Sequence, residues 1–107
     1  MPELFKIFPS WEMATMSLPE NIPRKLVLNG NAYCLVRKHN KIFAMADACP
    51  HNKASLSEGR INAFNEIICP LHEYRYDLIS GSESNVRSNG LEIFPVKVEK
   101  DGVFLLI

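Results

Sequence analysis

The sequence predicts an all-β fold built from antiparallel hairpins. Three observations carry that expectation: short apolar runs, turn residues set between them, and no long helical pattern. Lys25 to Leu28 and Ala32 to Val36 flank Asn29-Gly30, a pair suited to the positive backbone angles of a tight hairpin turn. The run Ala32 to Arg37 then meets Lys41 to Ala46 across His39-Asn40, which reads as a second hairpin. Leu91 to Glu99 and Val103 to Ile107 flank Asp101-Gly102 and read as a third. Pro19 and Pro23 interrupt the early helix candidate, so Ser10-Trp11-Glu12-Met13 is expected to start no more than a short turn.

A chain of 107 residues is long enough for one core and short for two, so residues 1–107 are expected to form a single domain. At 47% hydrophobic and 22% charged, the composition is that of a folded globular chain rather than a disordered or fibrous one. Basic and acidic residues balance at 12 each, so no global field draws the protein to nucleic acid or to an anionic membrane. The start, Met1-Pro2-Glu3-Leu4-Phe5-Lys6, lacks the apolar stretch of a secretory signal, and no segment reaches the roughly eighteen apolar residues of a membrane span. A cytoplasmic, monomeric protein is expected. Three cysteines are an odd number, and in a reducing compartment they are read as free or metal-bound.

Between the second and third hairpins, over residues 47–82, the alternation lapses and Cys, His and Pro cluster. Loops held on a rigid scaffold are where chemistry tends to sit. Two short motifs stand there, Cys49-Pro50-His51 and Cys69-Pro70-Leu71-His72, each joining a soft thiolate donor to an imidazole within one loop. Both donor types favour iron and zinc. A closed Cys2His2 zinc site is the competing reading. Zinc fingers, however, group their cysteines in one motif and their histidines in another, whereas each motif here mixes the two. Mixing makes sense for two irons, each loop giving its cysteine to one and its histidine to the other.

The pattern C-x-H, seventeen intervening residues, then C-x-x-H resembles the Rieske family of iron-sulfur proteins, in which histidines replace two cysteines on one iron. The likeness extends to Ala54-Ser55-Leu56-Ser57-Glu58-Gly59, Tyr76-Asp77-Leu78, Ser80-Gly81 and Phe94-Pro95-Val96-Lys97-Val98, over about residues 25–107. It implies an antiparallel β-sandwich or barrel base, a loop-built cluster-binding subdomain over about residues 47–82, and a [2Fe-2S] cluster held by Cys49, His51, Cys69 and His72. Both histidines are expected to face solvent.

Respiratory and photosynthetic members carry two further cysteines that tie the ligand loops together; the matching positions are Ala54 and Leu71, so the resemblance points to the soluble, low-potential ferredoxin type. The family usually has glycine where this chain has Lys53 and Glu73; these are read as solvated rim charges, with an ion pair between them as the sharper alternative. Tyr74 and Tyr76 are read as shielding for the cluster. Tyr76 also matches a family tyrosine that donates a hydrogen bond to cluster or ligand sulfur, while Tyr74 stands where a serine is usual. Cys34, in a strand, is read as core. His39 is read as a surface turn residue, and Trp11 as a core or edge anchor.

Such a domain, with no catalytic partner domain in the sequence, is expected to carry single electrons from a reductase to an oxygenase or similar redox enzyme. The alternative is a non-catalytic or regulatory subunit of a larger reductase, like the small subunit of nitrite reductases.

Overall fold

The computed structural model describes residues 2–51, 53–85 and 89–107. Its strands in chain order are β1 (Leu4–Phe8), β2 (Arg24–Leu28), β3 (Asn31–Lys38), β4 (Lys41–Ala46), β5 (Arg60–Ile61), β6 (Glu66–Ile68), β7 (Arg75–Asp77), β8 (Ile93–Phe94), β9 (Val96–Glu99) and β10 (Gly102–Leu106). Helix α1 spans Trp11–Ser17 and a 3-10 turn spans Leu56–Glu58. Three antiparallel sheets are ordered β1-β10-β9, β2-β3-β4-β8 and β5-β6-β7 among the described residues.

The first two hairpins form as their turn residues require. Asn29 and Gly30 have φ of 53° and 80°, and His39 and Asn40 have 54° and 61°, so both turns use the doubly positive conformation that matches strand twist. The third hairpin needs correction. Gly102 pairs with Glu99 as the first residue of β10, which leaves Lys100-Asp101 as the turn. The expected strand Leu91 to Glu99 is two strands: β8 pairs with β4 and β9 pairs with β10, in different sheets. Pro95 lies between them, and lacking an N–H it cannot continue a ladder as donor, so the chain crosses from one sheet to the next there.

Helix α1 exceeds the single turn expected. Ser10 caps it, its Oγ accepting from the Met13 N–H at 3.1 Å, and it buries Ala14 before Pro19 prevents further extension. Strand β1 pairs with β10 from Leu4↔Leu106 to Phe8↔Val103, so the chain's opening residues are built into the fold.

Strand β3 explains why the alternation of the sequence blurs at Tyr33-Cys34-Leu35-Val36. Tyr33 and Leu35 point into a core shared with α1 and β10, where they meet Ala14, Leu18, Val103 and Leu105. Cys34 and Val36 point the other way, into a second core with Met45, Leu56, Ile67, Tyr76 and Leu78. The β2-β3-β4-β8 sheet is therefore a wall with an apolar core on each face, and a strand buried on both sides reads as a continuous apolar run. The base lies on one face of that wall; on the other lie residues 47–82, which contain β5, β6 and β7 as well as loops. Strands of two or three residues are too short to show alternation in sequence.

Two contacts lock the upper layer in place. Lys38, 6% exposed, donates from its ammonium to the Asn62 carbonyl at 2.9 Å, joining β3 to the β5-β6 turn. Gly59 lies so close to β6 that a Cβ there would sit 2.0 Å from the Ile68 carbonyl oxygen, so only glycine permits this approach.

Candidate metal centre

Two loops project from the upper layer, and each closes in the same way. The Cys49 N–H donates to the Ala54 carbonyl at 2.9 Å, and the Cys69 N–H donates to the Tyr74 carbonyl at 2.8 Å. Each cysteine thus starts a six-residue loop that returns its chain five positions later. The first loop is tightened by a bond from the Lys53 N–H to the Cys49 carbonyl at 2.8 Å. Below it, Asp47 accepts from the Ser57 N–H at 2.8 Å and faces Lys25 at 3.6 Å, pinning the loop base.

The donors divide by depth. Cys49 and Cys69 are wholly buried thiols within the upper core. His51 and His72 are exposed, with ring centroids 5.4 Å apart. The structure places the two thiols in one core and the two imidazoles beside each other at the surface.

Two tyrosines, Tyr74 at the end of the second loop and Tyr76 on the strand that follows it, reach across to the first loop. The Tyr74 ring stacks on His51 at 3.9 Å between centroids and 5° between planes. The hydroxyl of Tyr76, whose ring is fully buried on β7, lies 3.3 Å from the Cys49 Sγ. Where a disulfide is absent, with Ala54 half-buried and Leu71 half-exposed, these contacts connect the two loops. The shielding expected of both tyrosines is therefore more specific. Tyr74 orients one imidazole, and Tyr76 is placed to hydrogen-bond one sulfur.

Lys53 and Glu73 do not pair with each other; Glu73 faces Arg60 instead, at 3.5 Å, with both side chains well exposed. They occupy the same place in their loops, four residues after the cysteine, and both have left-handed backbone, with φ of 64° and 57°. His72 is left-handed too, at 68°. A side chain in that region costs about 1–2 kcal/mol relative to glycine. An exposed ion pair typically contributes about 0.2–1 kcal/mol, so the Arg60 contact does not offset the conformational cost of Glu73.

Cys34 lies in the same upper core, fully buried. Burial, and secondarily the charge of Asp47, push its thiol well above the usual range. It remains a core residue in the wall beneath the tip. His39 is exposed in its turn, and Trp11 is partly buried against the lower core, as expected.

A two-sided β scaffold with matched loops, buried thiols and side-by-side imidazoles at its tip defines a class of small metalloprotein. Residues 9–95 match the Rieske [2Fe-2S] domain family, and the chain belongs to that family. It is 30% identical over 89 residues to the ferredoxin component of naphthalene 1,2-dioxygenase/salicylate 5-hydroxylase systems of a Ralstonia species, covering 82% of this chain and 85% of that protein. It is also 30% identical over 95 residues to the ferredoxin component of a naphthalene 1,2-dioxygenase system of Pseudomonas aeruginosa, covering 87% and 89%. Among solved structures, the ferredoxin of carbazole 1,9a-dioxygenase from Nocardioides aromaticivorans IC177 matches with a TM-score of 0.77 at 25% identity, over 84% of this chain and 88% of that one. A protein assigned as the small subunit of an NADPH nitrite reductase matches at 0.80 and 21% identity, over 98% and 99%, and shows the shared fold.

The protein is thus a Rieske-type electron carrier with a [2Fe-2S] cluster. The donor set fits that group: soft sulfurs are withdrawn from water, and imidazoles able to complete a second iron stand together at the surface. No helix among the described residues is long and apolar enough to cross a membrane.

Proposed function

We propose that Cys49 and Cys69 hold the inner iron of the cluster, that His51 and His72 hold the outer iron, and that the chain delivers single electrons from a reductase to an oxygenase. The observation that carries this reading is the division by depth: both thiols are buried, and both imidazoles are exposed at one tip. A bound cluster supplies a reversible one-electron couple. The chain's residues do the rest. The upper core keeps water from the sulfurs, Tyr74 and the loop closures fix the imidazoles, and the exposed rings of His51 and His72 give a partner its shortest route to the couple.

The oxygenase as acceptor is supported by the relatives, which are ferredoxin components of dioxygenase systems. The reading as a subunit of a larger reductase gains no comparable support, since the likeness to the nitrite reductase small subunit is one of fold. The protein is proposed to act as a soluble, cytoplasmic monomer that meets its partners transiently.

Metal and sulfide analysis with electron paramagnetic resonance of the reduced protein tests the site. Two irons and two acid-labile sulfides per chain are expected, with an average g value below that of all-cysteine clusters. Zinc without sulfide would refute the assignment. Stable co-purification with a large reductase subunit would overturn the carrier reading.

A further inference from the structure

The eight non-glycine residues of positive φ among those described form a telling set. Away from the tip they are Asn21, Asn29, His39, Asn40 and Asn65, types that tolerate this conformation, and Gly30, Gly81 and Gly102 occupy positive φ as well. The remaining three, Lys53, His72 and Glu73, all lie in the ligand loops. His72 is accounted for as a proposed ligand. Lys53 and Glu73 are not accounted for by stability: the structure gives Lys53 no ion pair among the described residues, and Glu73 has a solvent-exposed contact with Arg60 too weak to offset its backbone. The fold uses asparagine, histidine or glycine at such positions elsewhere, and lysine or glutamate at none of them among the described residues, so these two side chains point to a role outside the isolated chain.

Their placement says what. They hold equivalent positions in the two matched loops, both are exposed, and they carry opposite charges close in sequence to the two exposed imidazoles, Lys53 two residues after His51 and Glu73 directly after His72. Opposite charges on either side of a contact point add little net attraction but make one orientation of a charged partner better than its reverse. We infer that Lys53 and Glu73 are specificity-determining charges that orient the redox partner over His51 and His72, the partner meeting Lys53 with an acidic group and Glu73 with a basic one. The basic group takes the place of Arg60 against the Glu73 carboxylate. The inference rests on the reading of the two histidines as the point of electron exchange.

Glycine and glutamine variants of the cluster-bearing protein separate backbone cost from charge. Lys53→Gly and Glu73→Gly should each raise the melting temperature by about 2–6 °C, the released strain being partly offset by a more flexible unfolded chain. Lys53→Gln and Glu73→Gln keep the backbone cost and should not show that gain. The charge arm uses two small one-electron oxidants of the reduced protein, hexacyanoferrate(III), an anion, and tris(phenanthroline)cobalt(III), a cation. Each takes one electron from the cluster and is itself reduced by one unit.

At low ionic strength, the ratio of the anionic to the cationic rate should fall about threefold or more in both Lys53 variants and rise by as much in both Glu73 variants. The changes should vanish in high salt. Glycine variants no more stable than the glutamine variants would remove the premise. Unchanged rate ratios in all four would show that the charges do not face the exchange point, which overturns the inference. A parent protein without a [2Fe-2S] spectrum would instead defeat the reading of the site.

Discussion

Replacing Tyr76 by phenylalanine removes one oxygen atom from a fully buried ring and tests how the scaffold sets the reduction potential. The hydroxyl lies 3.3 Å from the Cys49 Sγ. With Cys49 in its proposed role as a ligand, the thiolate would have no proton to give and the tyrosine would be the donor. Reduction adds negative charge that the sulfurs share, so the bond strengthens in the reduced state, and losing it must lower the potential. A net hydrogen bond of about 0.5–1.5 kcal/mol, made chiefly in the reduced state, converts at about 59 mV per factor of ten for one electron to a fall of about 20–65 mV. The parent itself should lie toward the low end of the roughly −150 to +300 mV range of such centres, because Tyr74 stands where a sulfur-bonding serine is usual in high-potential members of the family. A redox titration followed by visible circular dichroism measures both proteins. A mutant that keeps its cluster and matches the parent within about 10 mV would show that Tyr76 is packing alone.

Three further outcomes are expected. His51→Ala and His72→Ala should each lose the intact cluster, seen as loss of iron and sulfide on purification; a retained native spectrum in either would refute its role as a ligand. Tyr74→Ala should keep the fold but release iron faster, since the stack on His51 is worth about 0.5–1.5 kcal/mol beyond its buried area; iron-chelator kinetics measure it, and an unchanged rate would count against a clamp. Burial and then Asp47 hold the Cys34 thiol above its ordinary pKa of 9.0, so the unfolded thiol ionises first as pH rises. The stability linked to that thiol is therefore whole below about pH 9 and lost above it. Cys34→Ala should flatten that alkaline loss in urea titrations while leaving the cluster spectrum intact, and an equal loss in parent and variant would place the titrating group elsewhere.

The family and its iron-sulfur chemistry were legible in the sequence, because the two short Cys/His motifs that carry the resemblance, and from which the four ligands are proposed, are local patterns. The hairpins at Asn29-Gly30 and His39-Asn40 were legible for the same reason: positive backbone angles select their residues locally. Where local preference competes with packing, the reading failed. Pro95 turns one apolar run into two strands of different sheets, and β5, β6 and β7 are too short to leave a pattern. Only the tertiary structure decided that β3 separates two cores, that both thiols are buried, and that Tyr74 of the second loop and Tyr76 of β7 reach across to the first loop. It also decided that Glu73 meets Arg60 rather than Lys53, and that both loop charges sit on left-handed backbone. Those facts depend on how residues far apart in the chain meet, and such meetings are set by the burial of whole faces rather than by neighbours in sequence.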